Sequence, residues 1–223
     1  MCLRAELGCC ISKKTVLKLM RQAGLICQIR RKRFTHYNSY RGQIGKIAKN
    51  EINRDFNAPK PWQKMGTDVT EFAQPWGKAY FAPIYDFCTK EIVVWSISRV
   101  ADFSQQKRLL RDLLSKLPTG AHPILHSDMG WQYQQAYWVT FLKHNGIIQS
   151  MSRKGNCLDN AATEQVFGHL KDEFFRGQKW DSYEAFERDL NDYVYYWNNQ
   201  RRQIKLKGLT PAEYRCQSLS ILD

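Results

Sequence analysis

No apolar run in this chain approaches the roughly 18 residues that a membrane-spanning helix needs. The opening MCLRAELGCC also lacks the basic start and long apolar stretch of a secretory signal. Both absences lead to the expectation of a soluble, cytoplasmic protein. Cysteine is present without a pattern: Cys2, Cys9, Cys10, Cys27, Cys88, Cys157 and Cys216 are an odd number, with no C-x-x-C pair and no Cys/His knuckle. Structural zinc and a disulfide framework are therefore not expected, and reduced, mostly packed thiols are. No internal repeat or low-complexity tract occurs. Acid is scarce at the start: residues 1–66 hold Glu6, Glu51 and Asp55 against 15 Lys/Arg, a net of +12 out of +13 for the chain.

What is present is a length of 223 residues, 43% hydrophobic and 13% aromatic, enough for one core and a small appendage. The basic excess is densest at Arg30, Arg31, Lys32 and Arg33. Such a block is either a solvated tail or the footprint of a nucleic-acid contact, and its attachment to a near-neutral remainder favours the latter. Ahead of it, Ser12 can cap a helix over Lys13–Ala23 that Gly24 ends. That helix is either the second of a helix-turn-helix or a plain amphipathic one. Residues 30–61 read as a basic linker.

From residue 62 the pattern becomes that of an α/β sandwich with a mixed sheet. Strands are expected at Lys64–Phe72, Ala79–Phe87 and Glu91–Ser98, then a helix over Phe103–Leu117 and a short strand His122–His126. A helix Gln134–Asn145, a strand Ile147–Ser150 and helices Asn160–Arg176 and Ser182–Asn199 follow. Thr210, Pro211 and Glu213 have the spacing of a capping box.

Three acids fall at strand, strand-end and helix positions: Asp68 in GTDVTEF, Asp128 in LHSDMG, and Glu164 beyond 35 intervening residues. Carboxylates in such a set suit Mg²⁺ or Mn²⁺, and two such ions stabilise the attacking and leaving oxygens of a phosphoryl displacement. Spacing alone leaves open that they are unrelated surface acids. If they converge, a cation is required, because two carboxylates about 4 Å apart repel by roughly 4 kcal/mol at an effective dielectric of 20. Otherwise the cluster spreads or takes up a proton. On the helix, Asn160, Glu164, Gly168 and Lys171 form one polar stripe and Val166, Leu170 and Phe174 an apolar one. Lys171 is then about 10.5 Å along from Glu164, placed for a substrate phosphate.

The segments WQKMGTDVTEF, ILHSDMGWQY, SMSRKGNCLDNAATEQVFGHLKDE and YYWNNQRRQIKLKGLTPAEYR closely resemble the OrfB-type transposases of the third bacterial insertion-sequence family. The resemblance covers about residues 60–215 and implies a ribonuclease-H-like core with a mixed five-stranded sheet flanked by helices, plus a small basic helical N-terminal segment. It implies a partition into 1–29, a helix-turn-helix remnant; 30–61, a linker; 62–180, the catalytic core; and 181–223, a helical extension. By it, Asp68, Asp128 and Glu164 are catalytic and hold two Mg²⁺ or Mn²⁺, and Lys171 is the basic residue after the Glu. The implied activity is cleavage at insertion-element ends and transfer of the 3′-hydroxyl into target DNA. A same-fold nuclease and a non-catalytic DNA-binding remnant are the alternatives. The implied partners are double-stranded DNA, further copies of the chain, and a protein from the element's upstream reading frame, which would supply end recognition.

Other residues invite roles. Asp159 reads as a helix cap rather than a ligand. His126 reads as a hydrogen-bonded structural imidazole, and Ser127 as a neighbour of Asp128 with no G-x-S-x-G elbow around it. Asp86 and Glu71 are supporting acids at most. Ser150, Ser152, Arg153, Lys154, Gly155 and Asn156 form a polar loop suited to phosphate, with Arg153 and Lys154 as DNA contacts. Asn160 and Arg201 are further candidates for DNA, with Asn198 and Arg201 expected to be exposed. Tyr193, Tyr196 and Trp197 share a helix face and read as packing.

Overall fold

The computed structural model describes residues 6, 8, 10–25, 47–153 and 157–220. The basic run Arg30, Arg31, Lys32 and Arg33 and the loop residues Lys154, Gly155 and Asn156 lie outside them. Helix α1 (Lys13–Gln22) forms as expected: the Ser12 hydroxyl accepts from Thr15 N–H, and Gly24 closes it at a positive φ of 70°. None of its residues is buried.

Strands β1 (Lys64–Thr67), β2 (Thr70–Gln74), β3 (Gly77–Asp86), β4 (Ile92–Ser98), β5 (Ile124–Ser127) and β6 (Ile148–Met151) make one mixed sheet. Its order is β4-β3-β1-β5-β6, with β2 continuing the line of β1 along β3. Pairs β1–β5 and β5–β6 are parallel and the others antiparallel. The strand expected over Lys64–Phe72 is thus interrupted. Its register along β3 is unbroken across the gap and sets Asp68 opposite Pro83. Proline has no N–H to give to the ladder, and the Asp68 carboxylate instead accepts from Val69 N–H at 2.7 Å. The sheet is the expected five-stranded one with its first strand in two pieces.

Two apolar layers cover the sheet. Met65, Ile84 and Leu125 face α2 (Phe103–Lys116) and α3 (Ala136–His144) through Leu109, Leu110, Trp138 and Leu142. Phe72, Phe81 and Phe87 face α4 (Ala161–Leu170) and α5 (Tyr183–Asn199) through Val166, Leu170, Phe186 and Trp197. Asp102 and Ser182 cap α2 and α5. The capping box of α6 (Pro211–Ser220) forms with both reciprocal bonds, Thr210 N–H to Glu213 Oε2 at 2.9 Å and Glu213 N–H to Thr210 Oγ1 at 3.2 Å.

Several expectations are corrected here. The helix expected over Asn160–Arg176 is α-helical only to Leu170, and Lys171–Phe175 form a π turn closed by Arg176 N–H on Lys171 O at 2.9 Å. The helix expected from Gln134 begins as a 3₁₀ turn, Trp131–Gln134, before α3. The C-terminal part of the expected linker belongs to the core, because Ile52 is buried and Glu51 N–H donates to Ser150 Oγ at 2.9 Å. Among the described thiols, Cys88 is packed but Cys10 and Cys216 are exposed. No described helix is long and apolar enough to cross a membrane.

Candidate active site

The parallel pair β1–β5 places two acids side by side. Asp68 follows the last residue of β1 and Asp128 the last of β5, at the ends where open α/β sheets bind ligands. Helix α4 brings the third. It lies against β1, and its exposed face carries Glu164. The approach depends on Gly66 in β1, above which Thr163 of α4 is buried.

Each carboxyl is held by backbone or amide donors. Asp68 Oδ1 accepts from Val69 N–H, and its Oδ2 accepts from Asn160 Nδ2 at 3.2 Å. Asp128 Oδ1 accepts from Gly130 N–H at 2.8 Å. Ser127 donates to the Asp128 carbonyl, as a supporting neighbour should. The three acids feel one another. Burial, then the charge of Asp128 and, more weakly, that of Glu164, push the Asp68 carboxyl up to about 8, against the hydrogen bonds that oppose the rise. Burial raises Asp128 too, and burial with the Asp128 charge raises Glu164. This is the conflict expected of converging carboxylates, in which each charge raises the cost of ionising its neighbour.

The donor set fits a hard divalent cation: it is all carboxylate oxygen, and the buried Asn160 Oδ1 beneath Asp68 has no hydrogen-bond partner. Among the described residues, however, no three His, Cys, Asp or Glu side chains stand gathered as a ready-made metal-holding group. The three acids nonetheless influence one another's ionisation.

The neighbouring candidates divide. Asn160 is buried and spends its amide on Asp68, so it faces the acids rather than open solvent. Lys171 is exposed, but it opens the π turn, so the straight-helix distance from Glu164 does not apply. Asp159 does not cap α4. It is buried beneath Arg153 and Arg54, whose guanidiniums, with Arg153 dominant, hold its carboxyl well below the usual carboxylate range. Arg153 uses Nε and one terminal nitrogen on Asp159 and is otherwise about half exposed. Ser150 and Ser152 are not phosphate-loop residues: both are buried and bond His126, whose Nε2 also reaches the Asp159 carbonyl at 2.8 Å. The structural reading of His126 therefore holds, and burial lowers its pKa.

The expected exposure of Asn198 and Arg201 is overturned. Asn198 is buried on the Ile92 backbone, and Arg201 grips Glu173 through two nitrogens while stacking 4.5 Å from the Trp197 ring. Trp197 and Tyr193 pack, as the helical spacing implies, whereas Tyr196 is exposed. Asp86 accepts from Trp62, Cys88 and Thr89 N–H groups and shapes a turn, and Glu71 pairs with Lys78.

Sequence reasoning passed over Gly66, Thr163, Tyr133 and Arg54. Tyr133 is fully buried with an unpartnered hydroxyl, and burial first, then the charges of Asp68 and Asp128, push its pKa far up. A glycine inside a strand, two residues before an acid, was the available signal for Gly66. Nothing local marks the other three.

Acids at the ends of two adjacent parallel strands, with a third on the helix packed across them, define a ribonuclease-H-like polynucleotidyl transferase. Families described as Integrase core domain match residues 58–157 and residues 164–219. The chain is 44% identical over 210 residues to an uncharacterized transposase-like protein of Haemophilus influenzae, covering 94% of this chain and 95% of that one. It is 43% identical over 208 residues to the putative transposase InsK of insertion element IS150 from Escherichia coli, covering 93% and 72%. The magnesium-bound, dimeric HTLV-2 integrase catalytic core has the same fold, with a TM-score of 0.51 at 14% identity over 70% of this chain and 97% of that one. The chain belongs to the OrfB-type transposases of the IS3 insertion-sequence family, DDE-type polynucleotidyl transferases with an integrase core.

Proposed function

We propose that Asp68, Asp128 and Glu164 are the catalytic triad of this transposase and that together they hold two divalent ions, Mg²⁺ or Mn²⁺. The observation that carries this reading is geometric: Asp68 and Asp128 follow the ends of the adjacent parallel strands β1 and β5, and α4, packed on β1, carries Glu164. When bound, the ions supply the charge neutralisation that an in-line phosphodiester displacement needs at its attacking and leaving oxygens. The chain's own residues prepare the site. Val69 N–H and Asn160 orient the Asp68 carboxylate, Gly130 N–H orients that of Asp128, and the seat of α4 on Gly66 presents Glu164. The reaction is hydrolysis at the element's end followed by attack of the freed 3′-hydroxyl on target DNA, without a covalent protein intermediate.

DNA contact falls to Lys171, to Lys154 and the outward nitrogen of Arg153, and to Arg30, Arg31, Lys32 and Arg33. Arg201, a further candidate contact, is paired with Glu173 and would have to share its charge with a phosphate. The protein acts on double-stranded DNA as a homo-oligomer, with the upstream-frame protein as a further partner, in the bacterial cytoplasm.

The test offers a pre-cleaved element end and a labelled target duplex with Mg²⁺. Asp68→Asn, Asp128→Asn and Glu164→Gln each abolish joining while leaving duplex binding in place. Unimpaired joining by any one of them removes that residue from the triad, and cutting without joining by the unaltered chain makes it a nuclease.

A further inference from the structure

A second concave site lies round the α4 cylinder from Glu164. At about 100° per residue, Gln165 and His169 are turned by roughly 100° and 140° from the catalytic stripe. They line a cavity of about 590 Å³ between α4, the β3–β4 turn and the segment that follows α5. None of the described lining residues is a carboxylate, and four are cationic. Two of these, Arg201 and Arg202, are neutralised from outside by Glu173 and Glu213. Lys90 and Lys205 make no ion pair among the described residues, although Lys90 Nζ donates to the Phe87 carbonyl, and burial first and then the Lys205 charge lower the Lys90 pKa. Two such cations lining one cavity repel each other, and an anion between them removes the repulsion. The rest of the lining suits the remainder of a nucleotide. Phe56 and the 69% exposed Ile204 offer apolar surface, and the buried Gln203 Nε2 has no hydrogen-bond partner.

We propose that this cavity is a second nucleic-acid subsite, taking one unpaired nucleotide of a DNA strand with its phosphate between Lys205 and Lys90 and its base against Phe56 and Ile204. The inference rests on the transposase reading for its choice of ligand, but not on the triad or its metal. The volume is in the range of small-molecule pockets, and a positively charged cavity with an aromatic surface, here Phe56, is how unpaired nucleotides are held without sequence preference. Gln203 Nε2 would donate to the base or the phosphate.

The test is calorimetric titration of the full chain, in EDTA, with a 5′-phosphorylated thymidine dinucleotide and separately with inorganic phosphate. The dinucleotide binds saturably; Lys205→Glu weakens it roughly tenfold, as a reversed phosphate contact should, and Glu164→Gln leaves it unchanged. Ile204→Asp, at a solvent-facing position that does not threaten folding, weakens it as well. No binding, equal binding by Lys205→Glu, or inorganic phosphate binding as well as the dinucleotide overturns the proposal. Joining activity without dinucleotide binding sinks the subsite and leaves the triad standing, whereas dinucleotide binding without joining does the reverse.

Discussion

A methyl group placed on Gly66 would lie 2.5 Å from the Thr163 hydroxyl oxygen and 2.8 Å from the Phe87 ring. Gly66 is two residues from Asp68 and Thr163 is one from Glu164, so this contact sets how near the third acid comes to the first. Gly66→Ala should therefore cost about 1–3 kcal/mol through overpacking and lower strand joining further by lifting α4. Denaturant unfolding measures the first effect and the joining assay the second. Thr163→Ala in the same chain should return part of both, and no recovery would mean that Phe87 rather than α4 bears the strain.

Metal and stability are linked through the same acids. The coupled, partly buried carboxyls oppose one another in the ion-free protein, so Asp68→Asn should raise ion-free stability by about 1 kcal/mol while abolishing joining. In the unaltered chain Mg²⁺ should stabilise by about 2.7 kcal/mol at a hundredfold excess over its Kd, and in Asp68→Asn by much less. Thermal melts with EDTA and with Mg²⁺ compare the two. Equal Mg²⁺ responses would detach Asp68 from the ion site.

Glu173 accepts from Arg201 and Tyr193 and pairs with His169, joining the π turn to α5 and the segment after it. Burial pushes its carboxyl up, but the hydrogen bonds from His169 and Arg201 more than offset this and bring it to about 2, below the ordinary 4.5. A carboxyl with a lowered folded pKa contributes stability above its unfolded pKa and loses it as pH falls through the folded one. The contribution is thus complete above about pH 4.5 and disappears toward pH 2. Glu173→Gln should flatten the acid limb of the unfolding curve in that window, and an unchanged limb would show that the pairing contributes nothing.

Arg54 and Arg153 share the buried Asp159 carboxylate, tying the segment before β1 to the loop before α4. Either arginine alone can still neutralise it. Arg54→Ala combined with Arg153→Ala should therefore destabilise by more than the two single changes together, because only the pair leaves a buried carboxylate uncompensated. Urea midpoints of the four proteins decide the matter, and strict additivity would make the two contacts independent.

The three acids of the proposed triad were legible because their neighbours are local. GTD and HSD each run off the end of a single strand and DNA-x-x-E leads into a single helix, and strand, strand end and helix followed from periodicity. Pro83 also stood in plain view and, opposite Asp68, accounts for the interruption between β1 and β2, but pairing register had to be known before its effect could be assigned. The misreadings share a cause. Asp159 looked like a cap, Arg201 like an open contact and Ser150 like a loop donor, yet each is decided by a partner outside its own element: Arg153 and Arg54, Glu173, and the Glu51 backbone with His126.

By itself the amino-acid order determined the family, the α/β layering, the capping of α1 and α6, and which three acids could do chemistry, since these depend on residue type and on neighbours a few positions away. Only the folded chain decided how α4 sits on Gly66, that burial and the charges of Asp128 and Glu164 raise the Asp68 pKa, and which arginines are spent before DNA arrives. Those outcomes depend on burial and on charges brought together across the sheet, and neither quantity exists until the chain has closed on itself.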